Sequence, residues 1–318
     1  MIEPASDDVL SRFAPATREW FSGAFPAPTP AQLGAWNAIS SGGDALVIAP
    51  TGSGKTLAAF LWSIDRLAAE PPPDDARHRT RVLYISPLKA LGVDVERNLR
   101  SPLIGITQTA LRLGGTAPTI TVGVRSGDTP SADRRALQKS PPDILITTPE
   151  SLYLMLTASA RETLEGVTTV IIDEVHAVAG TKRGAHLALT LERLDARLAR
   201  PAQRIGLSAT VRPPEEVARY LGGGRPVTIV QPPAAKTFDL SVVVPVDDMT
   251  QPPTIGGDDP ADSSGAPQTP SIWPHVEESI VDRVLEHRST IVFANSRRLA
   301  ERLDQDPPHQ RLTPSAGP

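Results

Sequence analysis

Two short runs hold residues that could do chemistry together. Ala49-Pro50-Thr51-Gly52-Ser53-Gly54-Lys55-Thr56 combines two glycines with a lysine and hydroxyls, and Asp173-Glu174-Val175-His176 sets two carboxylates side by side 118 residues after Lys55. Gly52 and Gly54 have no side chain, so successive backbone N–H groups can turn toward one anion, and a helix starting directly afterwards adds its partial positive charge. Within such a loop, Thr51 to Thr56 would cradle a nucleotide. Lys55 would reach the β- and γ-phosphates, and Thr56 would place its hydroxyl on Mg²⁺. Asp173 would hold the Mg²⁺ water shell, Glu174 would orient and deprotonate an attacking water, and His176 would bridge the nucleotide to a coupling segment. One departure stands out: Ala49 occupies the position, five residues before Gly54, where phosphate loops usually carry their first glycine. The bland alternatives are a Gly/Ser turn that happens to precede Lys-Thr, and a surface loop with two acids.

The surrounding pattern supplies elements to position these groups. Ala45-Leu46-Val47-Ile48 reads as a buried strand before the loop, and Leu57, Phe60, Leu61, Ile64 and Leu67 recur at helical spacing after it. Strand, glycine-rich turn and helix are the context a phosphate-binding loop requires. Val170-Ile171-Ile172 reads as the strand that delivers Asp173. Further strands are expected at Arg81–Ile85, Ile120–Val122, Ile144–Ile146 and Ile205–Leu207, each followed by polar or helix-starting residues. These are Ser86-Pro87-Leu88-Lys89, Arg125-Ser126-Gly127-Asp128, Thr147-Thr148-Pro149-Glu150-Ser151 and Ser208-Ala209-Thr210. In open parallel sheets the carboxyl ends of the strands are where ligands bind. Helix starts there also offer free N–H groups to a backbone phosphate, although Pro87, Thr148 and Ser151 are equally explained as helix starters and caps. Ser208 and Thr210, at the end of a buried strand, can bond both the acidic pair and a neighbouring domain. Gln32, 23 residues before Lys55, offers a donor and an acceptor that suit the N6/N7 edge of adenine, and so implies ATP; the alternative is a solvated glutamine on a first helical turn. Leu187, Leu191, Leu194 and Leu198 mark an amphipathic helix whose leucines are core.

Composition narrows the class. With 318 residues the chain can form one large or two ordinary domains, and without cysteine it has neither disulfides nor thiolate metal sites. No run approaches eighteen apolar residues, and Met1 to Leu10 carries three acidic residues and no basic one, unlike a secretory signal. A cytoplasmic protein with no membrane partner is the expectation. The net charge of −4 is uneven: residues 246–274 hold five aspartates and no Lys or Arg, so the remainder has 32 basic against 31 acidic residues. Overall charge therefore decides nothing about nucleic acid.

Taken in order, these stations resemble superfamily 2 DEAD/DEAH-type helicases: Gln32 as the Q motif, 49–56 as motif I, 86–91 as motif Ia, Thr148-Pro149-Glu150 as motif Ib, 173–176 as motif II, Ser208-Ala209-Thr210 as motif III, and Thr290–Ser296 as motif IV. Asp-Glu-Val-His in place of Asp-Glu-Ala-Asp argues against an ordinary DEAD-box RNA helicase. Gly180-Thr181-Lys182-Arg183-Gly184-Ala185-His186-Leu187 and Phe293-Ala294-Asn295-Ser296-Arg297-Arg298 are similar to the large helicase-related (Lhr-type) family, a resemblance covering roughly residues 10–304. It implies an α/β fold, a RecA-like P-loop domain over residues 1–235 with a mostly parallel sheet flanked by helices. It implies ATP-driven translocation on single-stranded DNA, unwinding DNA or RNA–DNA hybrids, with a role in repair. Pro87, Lys89, Arg125, Gly127, Thr148 and Asn295 would grip the strand through phosphates, with weak sequence selectivity.

The resemblance thins toward the end. Val227–Val230 and Leu240–Val246 read as strands leading out of the sheet, and residues 236–274 as an exit strand and a Pro/Asp-rich linker. A helix over Val276–Leu285, a strand at Thr290–Phe293 and a helix over Ser296–Leu303 make residues 275–304 the start of a second RecA-like domain, followed by a polar tail at 305–318. No Q-x-x-G-R-x-x-R-like segment follows motif IV, so motifs V and VI and the arginine finger are not in this sequence. An arginine finger accelerates phosphoryl transfer by about 10³–10⁵-fold where one is used. The chain alone is therefore expected to bind ATP and hydrolyse it poorly. A truncated product, a split gene and a fragment all fit, and a second chain supplying the missing part stays open. Two alternatives stand beside the helicase: a nucleotide-dependent nucleic-acid binding module without motor activity, and an unrelated P-loop phosphotransferase. Ser208-Ala209-Thr210 and the Asn295 segment speak against the latter.

Overall fold

The computed structural model describes residues 9–233, 239–246, 248–249 and 272–305. The chain divides into two compact units, Met1–Lys236 and Thr237–Pro318. In the first unit, two helices, α1 (Pro15–Ala24) and α2 (Pro30–Ile39), precede strand β1 (Asp44–Ile48) and helix α3 (Lys55–Ala69). Then follow β2 (Val82–Ile85), α4 (Lys89–Arg112), β3 (Val122–Arg125), α5 (Ser131–Lys139), β4 (Ile144–Thr147), α6 (Pro149–Leu156), β5 (Thr169–Ile172), α7 (Lys182–Asp195), β6 (Gln203–Ser208), α8 (Pro214–Gly222) and β7 (Val227–Val230). The strands join into one seven-stranded sheet in the order β3-β4-β2-β5-β6-β1-β7, and every pairing is parallel.

Strand alternation sorts the core into two layers. Val47, Tyr84, Ile146, Ile171 and Ile205 point to one face, where Trp36 and Ile39 of α2, Phe60, Leu61 and Ile64 of α3 and Ile106 of α4 cover them. Leu46, Leu83, Ile85, Leu145, Val170 and Ile172 point to the other, under Leu152 and Met155 of α6, Leu187, Leu191 and Leu194 of α7 and Leu221 of α8. Burial on both faces explains why these strands read as continuous apolar runs. Each fully buried leucine or isoleucine stabilises by roughly 1.5–3 kcal/mol relative to exposure. Trp36 adds direction, because its indole N–H donates to the carbonyl of Ala58 at 2.9 Å and locks α2 onto α3. At the amino-terminal end of the interior strand β6, buried Arg204 bonds the half-exposed Glu192 (2.9 Å) and the largely buried Asp195 (2.7 Å). Among the described residues no helix is long and apolar enough to cross a membrane.

Several boundaries differ from the sequence expectation. The third strand is Val122–Arg125 rather than Ile120–Val122, because its register pairs Val122 with Ile144 and Arg125 with Thr147. Arg125 is therefore a strand residue, not a loop residue. Leu198 lies three residues past the end of α7 and only packs against the core margin. The Val227–Val230 strand forms, at the sheet edge beside β1. Leu240–Val246 does not form the expected strand: it has no strand partner among the described residues, and Leu240 and Val242 are 88% and 99% exposed. A strand without a neighbour has no partner for its N–H and C=O groups, so apolar composition alone does not make one.

In the second unit the described elements are α9 (Trp273–Glu286) and α10 (Arg297–Gln305). Arg302 places its guanidinium over the Trp273 ring and pairs with Glu277 at 3.4 Å. The expected strand at Thr290–Phe293 does not form, again with no strand partner among the described residues, and Ile291 and Phe293 are exposed. The last helix runs to Gln305, slightly beyond the expected Leu303. The linker reading falls largely on residues outside those described (236–238, 247, 250–271), as does the tail reading on 306–318.

Candidate nucleotide and nucleic-acid site

The sheet order places β5, β6 and β1 side by side, so the segments that follow them meet at one edge. After β1 the chain leaves to β2, three places away across β6 and β5, and this jump opens the crevice in which open α/β sheets bind ligands. The N–H of Ala49 donates to the carbonyl of Ser208 (3.0 Å), so the phosphate loop starts beside the Ser-Ala-Thr segment. Gly52 and Gly54 both adopt left-handed backbone, φ 83° and 79°, which an L-side chain resists. α3 begins at Lys55, directly after this turn, and its first-turn N–H groups face the loop. Lys55 is buried, and the hydroxyl of Ser53 is buried without a hydrogen-bond partner among the described residues. A cradle of glycine backbone with an orphaned buried hydroxyl fits an anionic ligand of the phosphate type.

Gln32 packs directly against this loop. It is 4% exposed, which removes the solvated alternative. Its carbonyl accepts from the N–H of Thr29 (2.9 Å), and the Thr29 hydroxyl both caps α2 and donates to the carbonyl of Ser53 (2.7 Å). The capping box thus ties the start of α2 to the phosphate loop.

Asp173 and Glu174 leave β5 at the same edge. Asp173 is buried, and its backbone N–H still pairs with Ile85 at 2.9 Å. One carboxylate oxygen accepts from the Glu174 N–H (2.9 Å) and the other from the Tyr84 hydroxyl. Burial, and then the charge of Asp173, push the Tyr84 phenol far above its ordinary value, so it stays a proton donor. Glu174 has φ 44°, the one positive φ outside glycine among the described residues. That turn separates the two carboxylates and brings Glu174 within 3.2 Å of His176 Nδ1, which lies 2.9 Å from the Ser208 hydroxyl. His176 therefore does connect the acidic pair to Ser208. Thr210 is exposed beyond it, and His176, Thr210, Arg212 and Glu216 line a cleft of about 720 Å³.

The residues expected to grip nucleic acid are distributed differently. Pro87 is buried and its carbonyl accepts from Arg183 Nη1 at 2.7 Å. Lys89 opens α4. Gly127 is exposed, in a turn closed by Arg134 donating to its carbonyl at 2.7 Å. Thr148 is buried and caps α6, accepting from the Ser151 N–H (3.4 Å), so its hydroxyl is already occupied. Asn295 is exposed in the second unit, before α10. Two residues were missed from sequence. Tyr84 is the polar exception in Val82-Leu83-Tyr84-Ile85, and that exception was the available signal. Arg183 bonds Glu150 through two nitrogens, one at 3.0 Å, while also holding Pro87, so it braces the segments after β2 and β4 together. This pairing holds the Glu150 carboxyl below its ordinary range.

Fold and site together define a P-loop helicase domain, and comparison with known proteins agrees. The model of the DEAD/DEAH box helicase family matches residues 29–218, and the chain belongs to that family. Its relatives are Lhr-type: over 296 residues it is 68% identical to the Lhr helicase of Mycolicibacterium smegmatis, and over 295 residues 59% identical to the Lhr helicase/uracil glycosylase of Escherichia coli. These alignments take in 93% and 92% of this chain but only 18% and 19% of the relatives' length. The structure of Mycobacterium smegmatis helicase Lhr bound to ssDNA and AMP-PNP superposes with a TM-score of 0.77, over 93% of this chain and 35% of that one. The Lhr-type resemblance and the RecA-like parallel sheet read from sequence are both borne out.

Proposed function

We propose that this chain is the ATP-binding part of an ATP-dependent helicase that acts on single-stranded DNA or RNA–DNA hybrids. The observation that carries this reading is the meeting of Lys55, Asp173-Glu174 and Ser208 at the ends of three neighbouring strands. The similarity to a helicase structure holding ssDNA and AMP-PNP supports it. Residues 1–235 are the nucleotide domain and 275–304 the start of a second RecA-like domain.

The N–H groups of Thr51 to Lys55 bind the phosphates, with Ser53 as a further donor, and Lys55 neutralises their charge. Gln32 stands at the adenine end. Thr56 and Asp173 would hold Mg²⁺, which would offset the negative charge of the phosphates. Glu174 takes the proton of the attacking water. His176 passes the position of Glu174 to Ser208, and Thr210 extends that line toward a partner domain. Pro87, Lys89, Arg125, Gly127 and Thr148 border the nucleic-acid path, and Asn295 is a further nucleic-acid contact read from its own segment. The reading as a binding module without motor activity is not favoured, since the relatives are named as helicases.

The test is steady-state ATP hydrolysis and fluorescent-nucleotide binding by the 318-residue chain, with and without single-stranded DNA, beside Glu174→Gln. Nucleotide binding that single-stranded DNA enhances is expected. Binding that neither Lys55→Ala nor DNA alters would overturn the reading.

A further inference from the structure

We propose that Tyr84 is a positioning residue for the metal-side carboxylate, fixing Asp173 through its hydroxyl and registering it against the helix that carries Thr56. This rests on the assignment of Asp173 to Mg²⁺ made above.

Val82-Leu83-Tyr84-Ile85 is buried throughout, and Tyr84 is fully inaccessible. A buried hydroxyl without a partner is costly, so a tyrosine where phenylalanine would fill the same space implies a specific acceptor. That acceptor is Asp173, whose two oxygens are each held by one donor: the Tyr84 hydroxyl on one side and the Glu174 N–H on the other. A carboxylate has about four lone-pair sites, so both oxygens keep capacity for an outside ligand while the plane of the group is fixed. The two donors come from different strands, β2 and the end of β5, which makes the orientation independent of rotation at the Asp173 side chain alone.

The face of the ring makes a second contact. Tyr84 stacks on Phe60 with centroids 4.9 Å apart and planes at 28°. Phe60 lies one turn beyond Thr56 on α3. One aromatic ring therefore touches the helix that begins with Lys55 and Thr56 and, at its hydroxyl, the acid that follows β5. A site shared by Thr56 and Asp173 needs their separation held closely, because Mg²⁺ demands near-ideal octahedral geometry. Tyr84 contacts both supports.

The test is Tyr84→Phe in the 318-residue chain, which keeps the ring and its stack. Affinity for a fluorescent ATP analogue is measured in EDTA and across a Mg²⁺ titration, with thermal melting alongside. The expected result is unchanged affinity in EDTA and a Mg²⁺ midpoint raised about tenfold, the loss of roughly one hydrogen bond to a charged group. Asp173→Asn is the reference: it should raise the midpoint further, and adding Tyr84→Phe to it should then change nothing. A lowered melting temperature with an unmoved Mg²⁺ midpoint would mean the hydroxyl is only structural and would overturn the proposal. If Asp173→Asn itself leaves the midpoint unmoved, the metal assignment fails, and the proposal with it.

Discussion

The side-chain nitrogen of Gln32 occupies the space that a side chain on Gly54 would need: a Cβ built there would sit 2.4 Å from it. Gly54 also has φ 79°, so two separate constraints exclude other residues. Gly54→Ala is expected to lose about 1–2 kcal/mol to left-handed strain alone, plus the displacement of Gln32. Adding Gln32→Ala should recover the steric part and leave the strain, a non-additivity that urea denaturation of the four proteins in a double-mutant cycle would measure. Nucleotide affinity should fall in Gly54→Ala and stay low in the double variant. Gln32→Ala alone should reduce preference for ATP over GTP; an unchanged ratio would confine Gln32 to bracing the loop.

Glu174 and Lys55 should separate binding from turnover. Lys55→Ala removes the cation facing the phosphates and is expected to weaken nucleotide binding by at least about tenfold, or 1.4 kcal/mol. Glu174→Gln keeps the shape of the turn and should leave binding intact while abolishing residual hydrolysis. His176→Ala, which cuts the 2.9 Å link to Ser208, should preserve nucleotide affinity and remove its response to single-stranded DNA. Titration with a fluorescent analogue, with and without DNA, distinguishes all three.

What was legible in the sequence follows from what local pattern encodes. The phosphate loop was readable because the glycines, Lys55 and the flanking strand and helix are contiguous. Asp173-Glu174 was readable because an apolar strand rarely ends in paired acids. Contacts made across strands were not: Tyr84 to Asp173 spans 89 residues and Arg183 to Pro87 spans 96, and a lone tyrosine in an apolar strand signals a partner without naming it. The strand errors have one cause. Thr290–Phe293 and Leu240–Val246 have strand-like composition, but pairing partners decide whether such runs become strands, and these have none among the described residues. Thr148 shows the reverse, where the bland reading as a cap accounts for its hydroxyl.

Arg204 offers a stability test remote from the site. It is 1% exposed at the start of β6 and bonds Glu192, Asp195 and the carbonyl of Leu221 at 3.0 Å. Removing one partner of a buried pair typically costs about 3–5 kcal/mol. Arg204→Ala should fall at the lower end, because Asp195 keeps Arg225 within 3.6 Å. Chemical denaturation should show this loss while nucleotide affinity of the folded fraction is unchanged. A matching loss of affinity would mean that the two ends of the strands are coupled.

Arg183 and Glu150 allow a test of the nucleic-acid edge. Exposed ion pairs are worth about 0.2–1 kcal/mol, so Glu150→Gln should weaken single-stranded DNA binding by no more than about fivefold. Arg183→Gln should weaken it more, because it also releases the Pro87 carbonyl. The pair carries a pH signature. With Arg183 holding the Glu150 carboxyl below its ordinary 4.5, the stabilisation is fully present above that value and is lost as pH falls through the lower folded value. Carboxyl NMR should therefore find Glu150 titrating at lower pH in the unaltered chain than in Arg183→Gln. Coincident titrations would show that the guanidinium does not engage Glu150 in solution, and the brace between the segments after β2 and β4 would have to be abandoned.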